Sequence, residues 1–428
     1  MKYNKLSQTL AFLMILVVAF SMFIPISTQE LASSTDEDQY TWPMFHYDLR
    51  HTGYTESPAP TTNNLLWKYK TERPITSSPA VVNGSVFIGS HDHSVYSLNA
   101  TTGELIWKYQ TGNWIFFNSP TVVDGKVFIG SGDQYVYCLD ARNGTLVWRY
   151  KTEWEVTSSP AVVDGKVFIG SGDTYVYSLN ATTGELIWKY KTEGFVTSPP
   201  TVVNGKVFIG GWDPGYKSYC LDADTGDLIW SYRTRAIIVG SAAVVDGKVF
   251  MGEHNVPGWI YCLDENTGDL IWNYQSILSV LSSPAFALGK VFAGSWDKHI
   301  YSIDESTGTL AWKYKTEGPV LSSPAIADGK VFVGSNDNHV YCLDATTGSL
   351  IWRYKTGGHV KSSPAIANGK LYVASEDGYV YCLGGTEGTL PPSPYPSLPY
   401  ELIRTVTVMI IAITLIGMYL YIRLKKRA

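Results

Sequence analysis

Most side chains in this 428-residue sequence that could do chemistry recur at fixed intervals. Six carboxylates, Asp92, Asp133, Asp173, Asp297, Asp337 and Asp377, each follow Gly-Ser-x or Ala-Ser-x. Calcium would need six to eight oxygens converging on one point, and no acidic loop shows that spacing. An aspartate in such a place instead favours a turn by bonding its own backbone. Cys138, Cys220, Cys262, Cys342 and Cys382 share one repeat position, filled by Ser97, Ser178 and Ser302 in other copies. Equivalent positions of neighbouring units lie farther apart than the roughly 4.4–6.8 Å that a disulfide allows between Cα atoms. The five read as small buried residues. His46 and His51 could ligate a metal, but no second cluster adds ligands at a recognisable spacing. No catalytic residue, metal ligand or cofactor is thereby nominated. What remains is binding chemistry. Trp114, Phe116, Phe117, Trp154, Phe195, Trp212, Trp259 and Trp296, with Arg235, His359 and Lys361, depart from the repeated pattern. Large planar rings gathered on one surface would stack on a partner; alternatively they pack loop on loop.

The elements that hold these groups follow from the repeat. Trp67, Trp107, Trp148, Trp188, Trp230, Trp272, Trp312 and Trp352 are spaced by 40, 41, 40, 42, 42, 40 and 40 residues. One copy, SSPAVVDGKVFIGSGDTYVYSLNATTGELIWKYKTEG, reads as four short strands: AVV, KVFIG, YVYSLN and ELIWKYKT. Asp-Gly or Asn-Gly stands between the first two in seven of the eight copies, as in Asp164-Gly165. Such pairs accept the positive φ angles of a type I′ turn. Four-stranded units of about 40 residues repeated four to eight times specify a β-propeller. Seven units begin near Ser77, Ser119, Ser158, Ser198, Ser241, Ser282 and Ser322; an eighth, from Ser362, stops before its tryptophan strand. LLWKYKTE, Leu65 to Glu72, supplies the missing strand from the other end. The predicted fold is an all-β, eight-bladed propeller over residues 62–385, closed by an N-terminal strand. In this geometry the loops before strand one and those between strands two and three share one face, where five of the six non-repeat tryptophans fall.

The ends point to a membrane. Residues 1–28, with Lys2 and Lys5 before an apolar run, read as a signal peptide; a retained anchor is the alternative. Residues 29–61 form an N-terminal strap whose TWPMFHYDLRHTGYT core is too rich in large apolar groups for a plain linker. Residues 386–401 are a proline-rich linker, 402–424 a transmembrane helix and 425–428 a basic cytoplasmic tail. The positive-inside rule then places the propeller outside the cell. Asn83, Asn99, Asn143 and Asn180 begin Asn-x-Ser/Thr sequons, acceptors for glycans there. A net charge of −5 gives no basic footprint for nucleic acid.

The pattern LDATTGELIWKYKTEGxVxSSPAVxDGKVFxGSxD resembles the pyrroloquinoline-quinone-like (PQQ-like) propeller repeat, and its opening segment is most similar to exported archaeal members. The resemblance implies that the eight repeat tryptophans pack against neighbouring blades. The family includes quinoprotein dehydrogenases and the non-enzymatic propeller lipoprotein of the barrel-assembly machine, a binding scaffold. Dehydrogenases of the family hold the quinone on Ca²⁺ with acidic and amide ligands, and many stack it on a disulfide between adjacent cysteines. This sequence has no adjacent cysteines, no CxxCH and no long inter-blade insertion. The expectation is therefore a membrane-anchored extracellular scaffold binding a protein partner or an envelope polymer. A PQQ-dependent dehydrogenase is the alternative, and a glycan or cell-wall binding module a third reading.

Overall fold

The computed structural model describes residues 40–212 and 214–385. The signal segment, the first part of the strap and everything expected after residue 385 lie outside them. Among the described residues no helix is long and apolar enough to cross a membrane.

After the strap, which carries β1 (Tyr54–Thr55), comes β2 (Leu65–Lys70). Blade 1 then shows how one repeat folds. β3 (Ala80–Val82), β4 (Ser85–Ser90), β5 (Ser94–Asn99) and β6 (Leu105–Gln110) pair in that order. Asn83 and Gly84 join β3 to β4 at φ 48° and 67°, the positive angles of a type I′ turn. The same turn recurs in every blade, including blade 6, where Leu288 is held at φ 54° before Gly289. A leucine there carries a steric cost of roughly 1–2 kcal/mol. β2 pairs antiparallel with the third strand of blade 8, Leu65 opposite Leu383 and Lys70 opposite Tyr379. Eight four-stranded sheets result, the last assembled from both ends of the propeller, with β1 added parallel to the inner strand of blade 7.

Three repeated contacts lock the blades together. Seven of the eight repeat tryptophans, all but Trp352, lie on the turn glycine of the next blade: a Cβ on Gly184, at φ 76°, would stand 2.7 Å from the Trp148 ring. The Trp148 indole N–H donates to the Ala181 carbonyl at 3.2 Å, and equivalent bonds run from Trp67, Trp107, Trp188, Trp230, Trp272 and Trp312. Trp352, at the last interface, has no indole partner among the described residues. Second, the six aspartates are interior locks. Asp173 Oδ2 accepts the Tyr177 hydroxyl at 2.7 Å and the Glu153 N–H at 2.9 Å, while Oδ1 accepts the Tyr175 N–H. They do more than the turn bonding expected of them, because each also ties a tyrosine and the preceding loop. Third, the N–H of Ser241 donates to Ser283 Oγ, and the relay continues through Ser323, Ser363, Ser78, Ser119 and Ser159 at 2.8–2.9 Å. Pro199, with neither N–H nor hydroxyl, interrupts the circle at blade 4.

The strap plugs the channel rather than skirting it. Trp42 pairs with Val81, and the carbonyls of Pro43, Leu49, Arg50, Thr52 and Gly53 accept N–H groups from the inner strands of blades 2, 4, 5, 6 and 7. His46 and His51 are fully buried at its centre, with ring centroids 6.4 Å apart. His46 Nε2 meets the Pro324 carbonyl at 3.0 Å and His51 Nδ1 meets Thr201 Oγ1 at 3.1 Å. Burial lowers His46 to a pKa of about 4 and His51 to about 3, so both are neutral tethers.

Candidate functional site

The turns joining strands one to two and three to four lie on one face of the ring, with the strap. The remaining loops form the opposite, loop face. There the backbone repeats one bond in all eight blades: a residue between strands two and three donates its N–H to a carbonyl in the loop arriving from the previous blade. Gly132 donates to Trp114, Gly172 to Glu155, Trp212 to Phe195 and Trp296 to Ser279. His91, His254, Asn336 and Glu376 donate likewise to Pro74, Ile237, Pro319 and His359. The frame is common, yet no two blades carry the same pair of side chains.

This frame fixes the aromatic rings while leaving them open. The Trp114 indole rests on Gly132, where a Cβ would come within 2.4 Å of it, and Trp154 rests on Gly172 at 2.6 Å. Even so, Trp114 is 46% exposed, Trp154 57% and Phe195 52%. Phe116, Phe117, Trp212 and Trp296 are exposed as well. Phe116 meets Phe117 edge-on at 4.4 Å and His91 at 5.2 Å; Trp212 meets His254 at 6.2 Å. Trp259 differs, being half-buried with the Arg235 guanidinium 4.2 Å above its ring. In Trp114 and Trp154 one part of the ring packs on backbone and the rest faces water.

At the centre of this face opens a funnel of about 590 Å³. Its wall changes character around the ring, from Trp114, Phe116 and Phe117 through Trp212 to Val239, Leu281 and Leu321, ending at Lys361. Phe45 of the strap is part of its lining. Lys361 Nζ is 2.7 Å from Glu376 Oε1, and His359 Nδ1 is 3.7 Å from Oε2. A second cavity, of about 650 Å³, lies between the strap and blades 3 and 4 on the turn face.

A calcium-held quinone would need several oxygen donors converging in the funnel. Among the described residues, Glu155 is the one carboxylate in its lining. Among the described residues no three His, Cys, Asp or Glu side chains assemble in a way that could hold a metal ion. The funnel residues do not fit that group. In blade 5 Glu253 replaces the repeat aspartate, accepting the N–H groups of Arg235 and Ala236 at 2.6 and 2.5 Å, and burial raises its pKa. The five cysteines are free and buried, their thiols pushed up to about 12 by desolvation. The sequons Asn83, Asn99, Asn143 and Asn180 all stand at the turn face, where Asn99 and Asn180 also cap their own turns. Sequence reasoning missed Glu155, His91 and Phe45. Glu155 was legible only as an acidic residue at the position where most other copies carry an aromatic, aliphatic or proline, beside Trp154 in the repeat's glycine position.

Comparison with known proteins follows this geometry. The family model described as "Outer membrane protein assembly factor BamB" matches four overlapping stretches, 56–153, 132–274, 219–325 and 300–391. A 66-residue stretch is 35% identical to the quinoprotein ethanol dehydrogenase of Pseudomonas putida, covering 15% of this chain and 11% of that enzyme. Among solved structures, BamB from Moraxella catarrhalis aligns with a TM-score of 0.65 at 20% identity, over 76% of this chain and 100% of its own. The quinohemoprotein alcohol dehydrogenase from Comamonas testosteroni aligns at 0.70 and 17% identity, over 84% and 83%. At such identities the structural likeness shows the fold. The family match, running from residue 56 to residue 391, shows that the chain belongs to the PQQ-like β-propeller repeat family whose model carries the BamB description.

Proposed function

We propose that this propeller is a binding or assembly scaffold held at the outer face of a membrane, with its loop face turned to a protein partner. The observation that carries this reading is the loop face itself: one backbone frame, eight different side-chain pairs, and aromatic rings fixed on glycines yet open to solvent. Preorganised rings bind without losing much side-chain freedom. Orientation supports it too. The described chain ends on the turn face, where the Gly384 N–H meets the Asn64 carbonyl. A linker over 386–401 and a helix over 402–424 would leave from that side, directing the aromatic rings away from the bilayer. The description of the matched family as an assembly factor is consistent with this role.

A quinoprotein dehydrogenase is the second reading, favoured by the Pseudomonas relative and opposed by the single carboxylate among the described residues of the funnel. Site-specific photo-crosslinking in native membranes tests the proposal. Benzoylphenylalanine in place of Trp154 or Phe195 should give one discrete protein adduct, whereas the same group at Ile106 or Ile187 on the turn-face rim should give none. Adducts from the rim alone would overturn the assignment. A polysaccharide smear from the loop face would make the partner an envelope polymer.

A further inference from the structure

The funnel has an electrostatic imbalance that its walls leave uncorrected. Among the described residues three ionisable side chains line it: Lys361, His91 and Glu155. Lys361 is neutralised by Glu376 at 2.7 Å. His91 Nε2 is engaged with Thr76 Oγ1 at 2.9 Å, and burial lowers its pKa, so it carries no charge near neutral pH. Glu155 is different. Its carboxylate makes no ion pair or hydrogen bond among the described residues, although its backbone carbonyl is fixed by the Gly172 N–H. The neighbouring acids Asp133 and Asp173 are tied to tyrosines. An unpaired, half-buried carboxylate thus lines the same cavity as Trp114, Phe116, Phe117 and Trp212, aromatic rings whose π faces carry negative charge density.

We infer that the funnel binds an organic cation, an ammonium or guanidinium head received between Glu155 and the aromatic wall formed by Trp114, Phe116 and Trp212. This rests on the proposed binding role of the loop face and gives its ligand a chemistry. Rings attract a cation through their quadrupole, and a carboxylate adds a charge-assisted hydrogen bond. The aliphatic side, Val239, Leu281 and Leu321, suits the methylene stem of a lysine or arginine. A funnel of about 590 Å³ lies in the range of small-ligand clefts, so a side chain on a partner and a free polyamine both fit its chemistry.

Titration of the full-length protein in mild detergent, followed by tryptophan fluorescence and calorimetry, tests this. The probes are glycine-serine decapeptides with one central arginine, lysine, norleucine or glutamate, and spermidine alone. The arginine and lysine peptides should bind at least about tenfold tighter than the norleucine and glutamate peptides. Glu155→Gln should weaken the cationic peptides by a similar factor and leave norleucine unchanged, and Trp114→Ala should weaken them as well. Spermidine binding as tightly as the peptides would assign the site to free polyamines; weaker binding would assign it to a partner's side chain. Equal affinity for all peptides, no binding of any, or insensitivity to Glu155→Gln would overturn the inference. Crosslinking from Trp154 would survive that failure, so the two claims fail separately.

Discussion

On the turn face the blades repeat one another almost residue for residue; on the loop face every blade differs. The turn face carries the glycines that receive tryptophans, the type I′ hairpins and the strap that crosses from blade to blade. Each side chain there answers to a neighbour, and the neighbours are all alike. The loop face keeps its backbone bond in all eight blades but frees the side chains, which differ from Pro74 and His91 in blade 1 to His359 and Glu376 in blade 8. Closure of the ring is therefore secured by the turn-face docking together with the aspartate and serine locks, leaving the remaining loop-face side chains able to vary without loss of fold.

That comparison can be broken first with acid. His46 and His51 are neutral and buried in the strap, with pKa values of about 4 and 3 against 6.5 when unfolded. Above pH 6.5 both states are neutral and the contribution is complete. As pH falls through 6.5 toward 4, the unfolded chain takes up protons that the folded one refuses, and stability drops, since each unit of displacement is worth about 1.4 kcal/mol. The combined loss should be on the order of 5 kcal/mol by pH 4. Urea unfolding at pH 7 and pH 4 measures it, and the double variant His46→Gln with His51→Gln should flatten the dependence. An unchanged midpoint would mean the strap does not hold the ring.

A smaller effect should follow from removing one interface ring. Trp188→Ala deletes a side chain packed on Gly226 together with its bond to the Ala223 carbonyl at 3.1 Å. Such truncations cost about 3–5 kcal/mol, read as a lowered urea midpoint. A cost below about 1 kcal/mol would contradict the docking role.

The fold was legible because it is repetitive. Eight tryptophans at near-constant spacing and a stranded LLWKYKTE could only be reconciled by joining both ends in one blade, and Leu65 does lie opposite Leu383. The locks were half legible. The aspartates sit in turns as their motif implies, but their bonds to tyrosines four residues on depend on the curl of the hairpin, which spacing does not disclose. The strap's apolar content marked it as more than a linker, whereas its passage through the channel, bringing Phe45 to the funnel, depends on positive φ at His46, Tyr47 and His51. Glu155 stayed hidden because its meaning comes from rings in other blades. Trp259 was grouped with the open aromatics since nothing in its sequence neighbourhood announced Arg235 above it.

The central claim is that the loop face binds while the rest of the molecule folds, and one paired measurement separates these roles. The double variant Trp154→Ala with Phe195→Ala would be purified in mild detergent from its native membranes. Its urea midpoint and the amount of co-purifying protein would be compared with those of the parent. Because both rings are more than half exposed, the variant should keep its stability to within about 0.5 kcal/mol and lose its stoichiometric partner. Retention of the partner at parental stoichiometry, or loss of the fold together with the partner, would contradict the account.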